Sequence, residues 1–248
     1  MVYIAEFVGT AILTLLGCGV VAGVLLAKSK AHAGGWIVIT FGWGMAVAMA
    51  VYTVGQYSGA HINPAVTIGL ASIGDLDLKL VPGYIAAQLA GGFFGAVLVY
   101  LAYINHWKVT DDAGAKLGVF STAPEVRNIP ANFGTEVIGT AMLVFGVLGI
   151  GSNVNPVGKE TDLALLFSSG IAPLLVGLLV FAIGLSLGGP TGYAINPARD
   201  LGPRIAHALL PIPGKGGSDW SYAWVPVVAP IVGGVIGAQA FTLLGFGG

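Results

Sequence analysis

Gly59-Ala60-His61-Ile62-Asn63-Pro64-Ala65 and Gly192-Tyr193-Ala194-Ile195-Asn196-Pro197-Ala198 are two versions of one phrase. Each sets Asn-Pro-Ala in a gap between long apolar runs. Asn before Pro marks a helix start, because Asn can cap and Pro suits the first helical position. The segment that follows each motif is only about ten to twelve residues, roughly 15–18 Å of helix, or half a bilayer core. Two half-helices at corresponding places of a repeated membrane protein predict a pore or binding site where they meet.

The rest of the chain fits that frame. Of 248 residues, 56% are hydrophobic and 8% charged, with a mean hydropathy of +0.88. A soluble domain carries about 25% charged residues, so this chain is read as polytopic and embedded in a lipid bilayer. Forty glycines suit close helix packing in lipid. A net charge of −1 gives no reason to expect a nucleic-acid partner. Cys18, the single cysteine, excludes an intrachain disulfide and a Cys-based metal site. The first apolar run lacks a basic leader and a clear cleavage site, so it is expected to be a retained span.

Six stretches are long enough to cross: about 4–27, 36–57, 82–104, 133–152, 164–187 and 222–245. The polar connections are 28–35, 74–81, 105–132, 153–163 and 209–221. The longest, 105–132, reads as a surface linker. It separates repeat one (about 1–104) from repeat two (about 133–248) within a single membrane channel domain, 1–248. Glu6-Phe7-Val8-Gly9-Thr10-Ala11 opens the first repeat and Glu136-Val137-Ile138-Gly139-Thr140-Ala141 the second. These openings lie 130 residues apart and the two motif Asn residues 133 apart, the near-constant offset of a duplicated unit. Three crossings per unit is odd, so the second unit must be inverted. The predicted fold is therefore an all-α membrane protein with six transmembrane helices, two re-entrant half-helices and an inverted internal repeat. Charge bias does not support placing both termini in the cytoplasm. The inside loops would then hold Lys79 and Lys159, the outside loops Lys28, Lys30, Lys108, Lys116, Arg127 and Lys215.

Non-helical backbone at membrane depth survives where it is buried in protein or lines water. The stretches 58–63 and 188–196 are expected to offer carbonyls to a passing hydroxyl. Asn63 and Asn196 should each cap a helix with the side-chain oxygen and donate into the lumen with the NH₂. The two helix N-termini each carry about half a positive charge, which repels cations. Arg199, one turn into the second half-helix where the first has Val66, is read as functional, since an Arg at this depth is costly. Its alternative is a structural Arg paired to a carboxylate. Glu6 and Glu136 are read as acceptors for the backbone of the re-entrant loop in their own half, with a proton relay as the sharper alternative. His61 is either a hydrogen-bonded loop residue or a pore-lining group able to respond to pH.

These residues resemble the aquaporin, or major intrinsic protein, family over essentially the whole chain. The resemblance rests on the six spans, the two Glu-x-x-Gly-Thr openings, and the motifs Ser58-Gly59-Ala60-His61-Ile62-Asn63-Pro64-Ala65-Val66-Thr67 and Asn196-Pro197-Ala198-Arg199-Asp200. Asp200 after Arg199, and Pro226-Val227 in the last span, look like the glycerol-facilitator (aquaglyceroporin) branch. The resemblance implies a passive channel for glycerol and other small neutral solutes, with some water, that excludes ions and protons. It implies a pore midpoint of Asn63, Pro64, Ala65, Asn196, Pro197 and Ala198, and a selectivity filter of Trp43, Gly184, Tyr193 and Arg199. Gly184 is expected to leave space that a His or Ile would fill, with Trp43 and Tyr193 as an apolar corner opposite Arg199. Tyr193 departs from the usual Phe, and its hydroxyl can hydrogen-bond or narrow the passage. Water, urea, hydrogen peroxide, dihydroxyacetone or a neutral short hydroxy acid such as lactic acid are further candidate permeants. No enzyme activity, metal or cofactor is implied. A homotetramer is. The short tails and lack of targeting segments fit a bacterial plasma membrane.

Three rivals remain at this point. A proton-coupled secondary transporter would use Glu6 or Glu136. An intramembrane enzyme would have to draw on Ser58, Ser186 and His61. A structural junction protein would have no use for Arg199.

Overall fold

In the computed structural model the described residues are 1–153 and 162–246. They are helical, with no strand among them. Six helices are long and apolar enough to cross a bilayer. They are α1 (Val2–Leu25), α2 (Trp36–Ser58), α4 (Val81–Ala102), α6 (Ile129–Ser152), the span Asp162–Leu187 and α10 (Val225–Leu243). The span Asp162–Leu187 is built of α7 (Asp162–Leu165), a π-helical turn (Leu166–Ile171) and α8 (Ala172–Leu187). Most of the connection expected over 153–163, with Lys159, lies outside the described residues.

The two half-helices are α3 (Pro64–Ser72, 9 residues) and α9 (Pro197–Leu209, 13 residues). Both begin as the sequence dictates. Asn63 Oδ1 accepts from Ala65 N at 2.9 Å, and Asn196 Oδ1 accepts from Ala198 N at 2.9 Å and Arg199 N at 3.2 Å. Such caps contribute about 1 kcal/mol each. The fourth span starts at Ile129, earlier than its apolar run, because Asn128 caps it through Ala131 N and Pro130 fits the first turn.

The halves interlock. Within each half α1 packs on α2 and α4, and α6 on α8 and α10. Across them α2 packs on α8, α3 on α10 and α4 on α9. Each half-helix thus leans on the last span of the opposite half. Two glycines permit this. A Cβ on Gly92 of α4 would sit 2.6 Å from the Ala198 carbonyl, and one on Gly234 of α10 would sit 2.5 Å from the Ala65 carbonyl. The alanine of each Asn-Pro-Ala motif therefore abuts a bare backbone.

The 105–132 segment differs from the surface linker its composition predicts. It contains α5 (Ala113–Phe120), capped by Asp112, with Lys116, Val119 and Phe120 buried and facing α1 and α9. Lys116 Nζ donates to the Pro213 carbonyl at 2.5 Å. A lysine in a polar stretch is ordinarily exposed; here its aliphatic stem is packed and its ammonium meets a carbonyl. Segments 105–128 and 210–224 share one face of the bundle, the outer face. Three of its cations are bound to protein oxygen: Lys116, Arg127 (to Asp219) and Lys215, which donates to the His207, Ala208 and Leu210 carbonyls at 2.6–2.7 Å. They serve loop structure.

Candidate functional site

The re-entrant loops are strained in matching ways. Gly59, Ala60 and Ile62 have φ of 79°, 48° and 45°; Gly192, Tyr193 and Ile195 have 80°, 39° and 42°. Positive φ is natural for the glycines, but costs a residue with a Cβ roughly 1–2 kcal/mol, and for β-branched Ile it is a true outlier. Two buried carboxylates hold the loops in this shape. Glu6 accepts from Ser58 Oγ (2.6 Å), His61 N (2.9 Å), Ile62 N (2.7 Å) and Gln88 Nε2 (2.7 Å). Glu136 accepts from Thr191 Oγ1 (2.7 Å), Ala194 N (2.9 Å) and Ile195 N (2.8 Å). Each carboxylate thus bonds the loop of its own half. Charge-assisted bonds of this kind are about twice as strong as neutral ones, enough to offset the torsional strain.

The loops meet at the half-helix N-termini. Asn63 Nδ2 donates to the Ile195 carbonyl and Asn196 Nδ2 to the Ile62 carbonyl, both at 2.8 Å. This amends the expectation that the amides donate to the lumen alone. One N–H of each is spent tying the loops together, leaving one per amide. The carbonyls of Gly59, Ala60, His61, Gly192, Tyr193 and Ala194 have no protein donor among the described residues.

Two cavities flank this junction. The inner one, about 300 Å³, is walled by Val47, Val51, Val66, Leu143, Val147 and Val180 on the apolar side and by both loops, His61, Asn63 and Asn196 on the polar side. The outer one, about 550 Å³, opens beneath the outer face and includes Asp112, Ser121, Glu125 and Gly189. Three residues wall both: Trp43, Tyr193 and Arg199. They mark the neck between the cavities.

Arg199 is the polar side of that neck. Its guanidinium carbon lies 3.9 Å from the Trp43 ring centroid, a cation–π contact. Its Nη1 donates to the Phe120 carbonyl at 3.2 Å. The ion pairs found among the described residues are Arg127–Asp219 and Arg204–Asp200, so no carboxylate neutralises Arg199. Its other side-chain N–H groups have no protein acceptor among the described residues. Asp200 turns away, to Thr122 and Arg204.

Gly184 differs from expectation. It walls neither cavity. A Cβ there would lie 2.8 Å from Tyr193 Cζ and 2.9 Å from Thr40 Cγ2. The room Gly184 leaves is filled by the Tyr193 ring, which Trp36 also holds edge-on at 5.7 Å. Gly184 therefore shapes the neck through Tyr193. His61 walls the inner cavity, and its Nδ1 lies 3.1 Å from Thr67 Oγ1. Pro64, Ala65, Pro197 and Ala198 are buried in the first turns of the half-helices and wall neither cavity. Phe120 and Thr122 were missed by sequence reasoning; they sit in a stretch whose composition reads as a linker.

The model of the major intrinsic protein family matches residues 1–241. The chain belongs to that family. It is 63% identical over 243 residues to a probable glycerol uptake facilitator protein of Thermotoga maritima, covering 98% of this chain and 99% of that one. It is 60% identical over 232 residues to a glycerol uptake facilitator protein of Bacillus subtilis, covering 94% and 80%. Among solved structures, the aquaglyceroporin from Plasmodium falciparum superposes with a TM-score of 0.81 at 36% identity, covering 96% of this chain and 93% of that one. This major intrinsic protein is a multi-pass membrane protein with the aquaporin-like arrangement of six spans and two half-helices.

Proposed function

We propose that the chain is a passive channel for glycerol and similar small neutral solutes, with some water, in a bacterial plasma membrane. The observation that carries this reading is the neck: Trp43, Tyr193 and Arg199 are common to both cavities. One wall is aromatic and suits a carbon backbone. The other offers donors to hydroxyls. An uncompensated Arg199 and two half-helix N-termini disfavour cations and protons. Beyond the neck, free loop carbonyls and one N–H from each Asn give a permeant acceptors and donors, while the valine-rich wall faces its CH groups. The glycerol facilitators among its relatives support glycerol as the solute.

Transport without coupling fits the carboxylates. Glu6 and Glu136 wall neither cavity and are committed to loop bonds. Catalysis is disfavoured by the same geometry. Ser58 is bound to Glu6, Ser186 lies on an exposed face of α8, and no Ser–His contact links either to His61 among the described residues. The family resemblance extends the proposal to a homotetramer, each subunit with its own passage.

The test is a stopped-flow panel on purified protein in liposomes, comparing water, glycerol, urea and lactic acid at low pH. Glycerol permeability well above that of empty liposomes supports the reading. Water permeability without glycerol permeability refutes it.

A further inference from the structure

Asp200 follows Arg199 in sequence, yet its carboxylate serves a residue far along the chain. Oδ2 accepts from Thr122 N and Thr122 Oγ1, both at 2.7 Å. Arg204, paired with Asp200 at 2.8 Å, also donates Nη2 to the Thr122 carbonyl at 2.9 Å. Every polar atom of Thr122 is therefore bound to α9. Two residues earlier the Phe120 carbonyl takes Nη1 of Arg199. Phe120, Thr122, Asp200 and Arg204 are all buried. The result is a closed circuit: side chains on α9 grip the strap 120–122, and the strap grips Arg199 of α9.

Arg199 depends on that strap. The Phe120 carbonyl is the one protein acceptor of its side chain among the described residues, and the Trp43 face is its other support. A long guanidinium held at two points keeps its place only as well as each point is fixed. The backbone N–H and carbonyl bonds of Thr122 are open to any residue. The Oγ1 bond is the one its identity supplies.

We propose that Thr122 is a positioning residue for selectivity. Its hydroxyl, anchored on Asp200, sets where the Phe120 carbonyl stands and hence where the Arg199 guanidinium sits against Trp43 in the neck. The inference rests on the reading of that neck as a solute passage. It also gives Asp200 a job: to hold the strap that holds Arg199.

Thr122→Val keeps the shape and removes the hydroxyl; Thr122→Ser keeps the hydroxyl. The readout is the ratio of glycerol to water permeability in proteoliposomes, with melting temperature in detergent measured alongside. Loss of the Oγ1 bond frees the strap to shift, so the ratio should move by about threefold or more in Thr122→Val. It should stay within about twofold of wild type in Thr122→Ser by the same reasoning. Thr122→Ala, smaller and free of steric demand, is expected to move it as Val does and serves if Val does not fold. A wild-type ratio in folded Val or Ala variants overturns the proposal, as does a Ser variant that shifts as far as they do. Wild-type vesicles that pass neither solute would instead sink the passage itself, and this inference with it.

Discussion

Asn63 and Asn196 exchange hydrogen bonds across the junction of the half-helices: each amide nitrogen reaches, at 2.8 Å, the carbonyl just before the other asparagine. Each side-chain oxygen caps its own helix. Each amide thus joins cap and latch in one group. Asn63→Asp or Asn196→Asp would keep the cap but lose the donor. It would set a carboxylate against a carbonyl and place a negative charge where the helix ends make the field positive. Either variant should lose solute flux and gain cation leak, read as a potassium-diffusion potential in vesicles. Cation exclusion equal to wild type would contradict the electrostatic account of the junction.

Gly184 offers a test of the neck. Even Gly184→Ala places a methyl 2.8 Å from Tyr193 Cζ, so the ring must move. Glycerol flux should fall more than water flux, and more again in Gly184→Leu. Equal proportional loss of both would place the ring's displacement away from the passage.

Tyr193 Oη is buried without a hydrogen-bond partner among the described residues. An unsatisfied buried hydroxyl costs about 1–3 kcal/mol. Tyr193→Phe should therefore leave stability unchanged or raise it, by about 1 kcal/mol at most given that cost. Thermal melting in detergent checks this; a lower melting temperature would mean the hydroxyl has a partner that the resting walls do not reveal.

Glu136→Gln keeps the shape of the side chain but leaves Nε2 facing the Ala194 or Ile195 N–H it now serves. Bonds to a charged acceptor are worth about 1.5–3 kcal/mol each, so a loss of about 2–4 kcal/mol is expected on that scale. The strained loop around Tyr193 and Ile195 should relax and flux should fall with it. The same outcome is expected for Glu6→Gln. Intact flux that has lost only its response to a pH gradient would favour a proton-coupled transporter.

The outer loops carry a pH-dependent tie. The hydrogen bond from Arg127 is the main reason the Asp219 carboxyl lies below its usual value of 3.8; a bond from Ser221 adds to it. A carboxyl with a depressed folded-state pKa contributes stability that is present above the unfolded value and is lost as pH falls through the folded one. The tie should therefore hold at neutral pH and fail only below 3.8. Arg127 is 48% exposed, so screening limits the contribution to about 0.2–1 kcal/mol. Arg127→Met should melt slightly below wild type at neutral pH, and the gap should close on acidification. A gap that widens would contradict the assignment.

Much of this arrangement was legible because lipid allows few solutions. Apolar length gave the six spans, Asn-Pro gave the caps, and the recurring offset gave the inversion. Glu6 and Glu136 were readable as loop anchors because they recur at the repeat spacing. What could not be read was distant pairing. Lys116 and Thr122 look like ordinary linker residues, since their burial is decided by where α5 docks on α1 and α9. Gly184 announced a space but not that Tyr193, nine residues on, fills it. The latch between Asn63 and Ile195 needs two halves folded against each other, and no local pattern encodes it.

The central claim is that solute crosses passively between the half-helices through the neck at Arg199. Glycerol flux into proteoliposomes, measured against concentration with and without a pH gradient, tests it most directly. Flux that rises in proportion to concentration, ignores the gradient and changes selectivity in Arg199→Val is the predicted result. Sharp saturation, or uptake driven by the gradient, would contradict it.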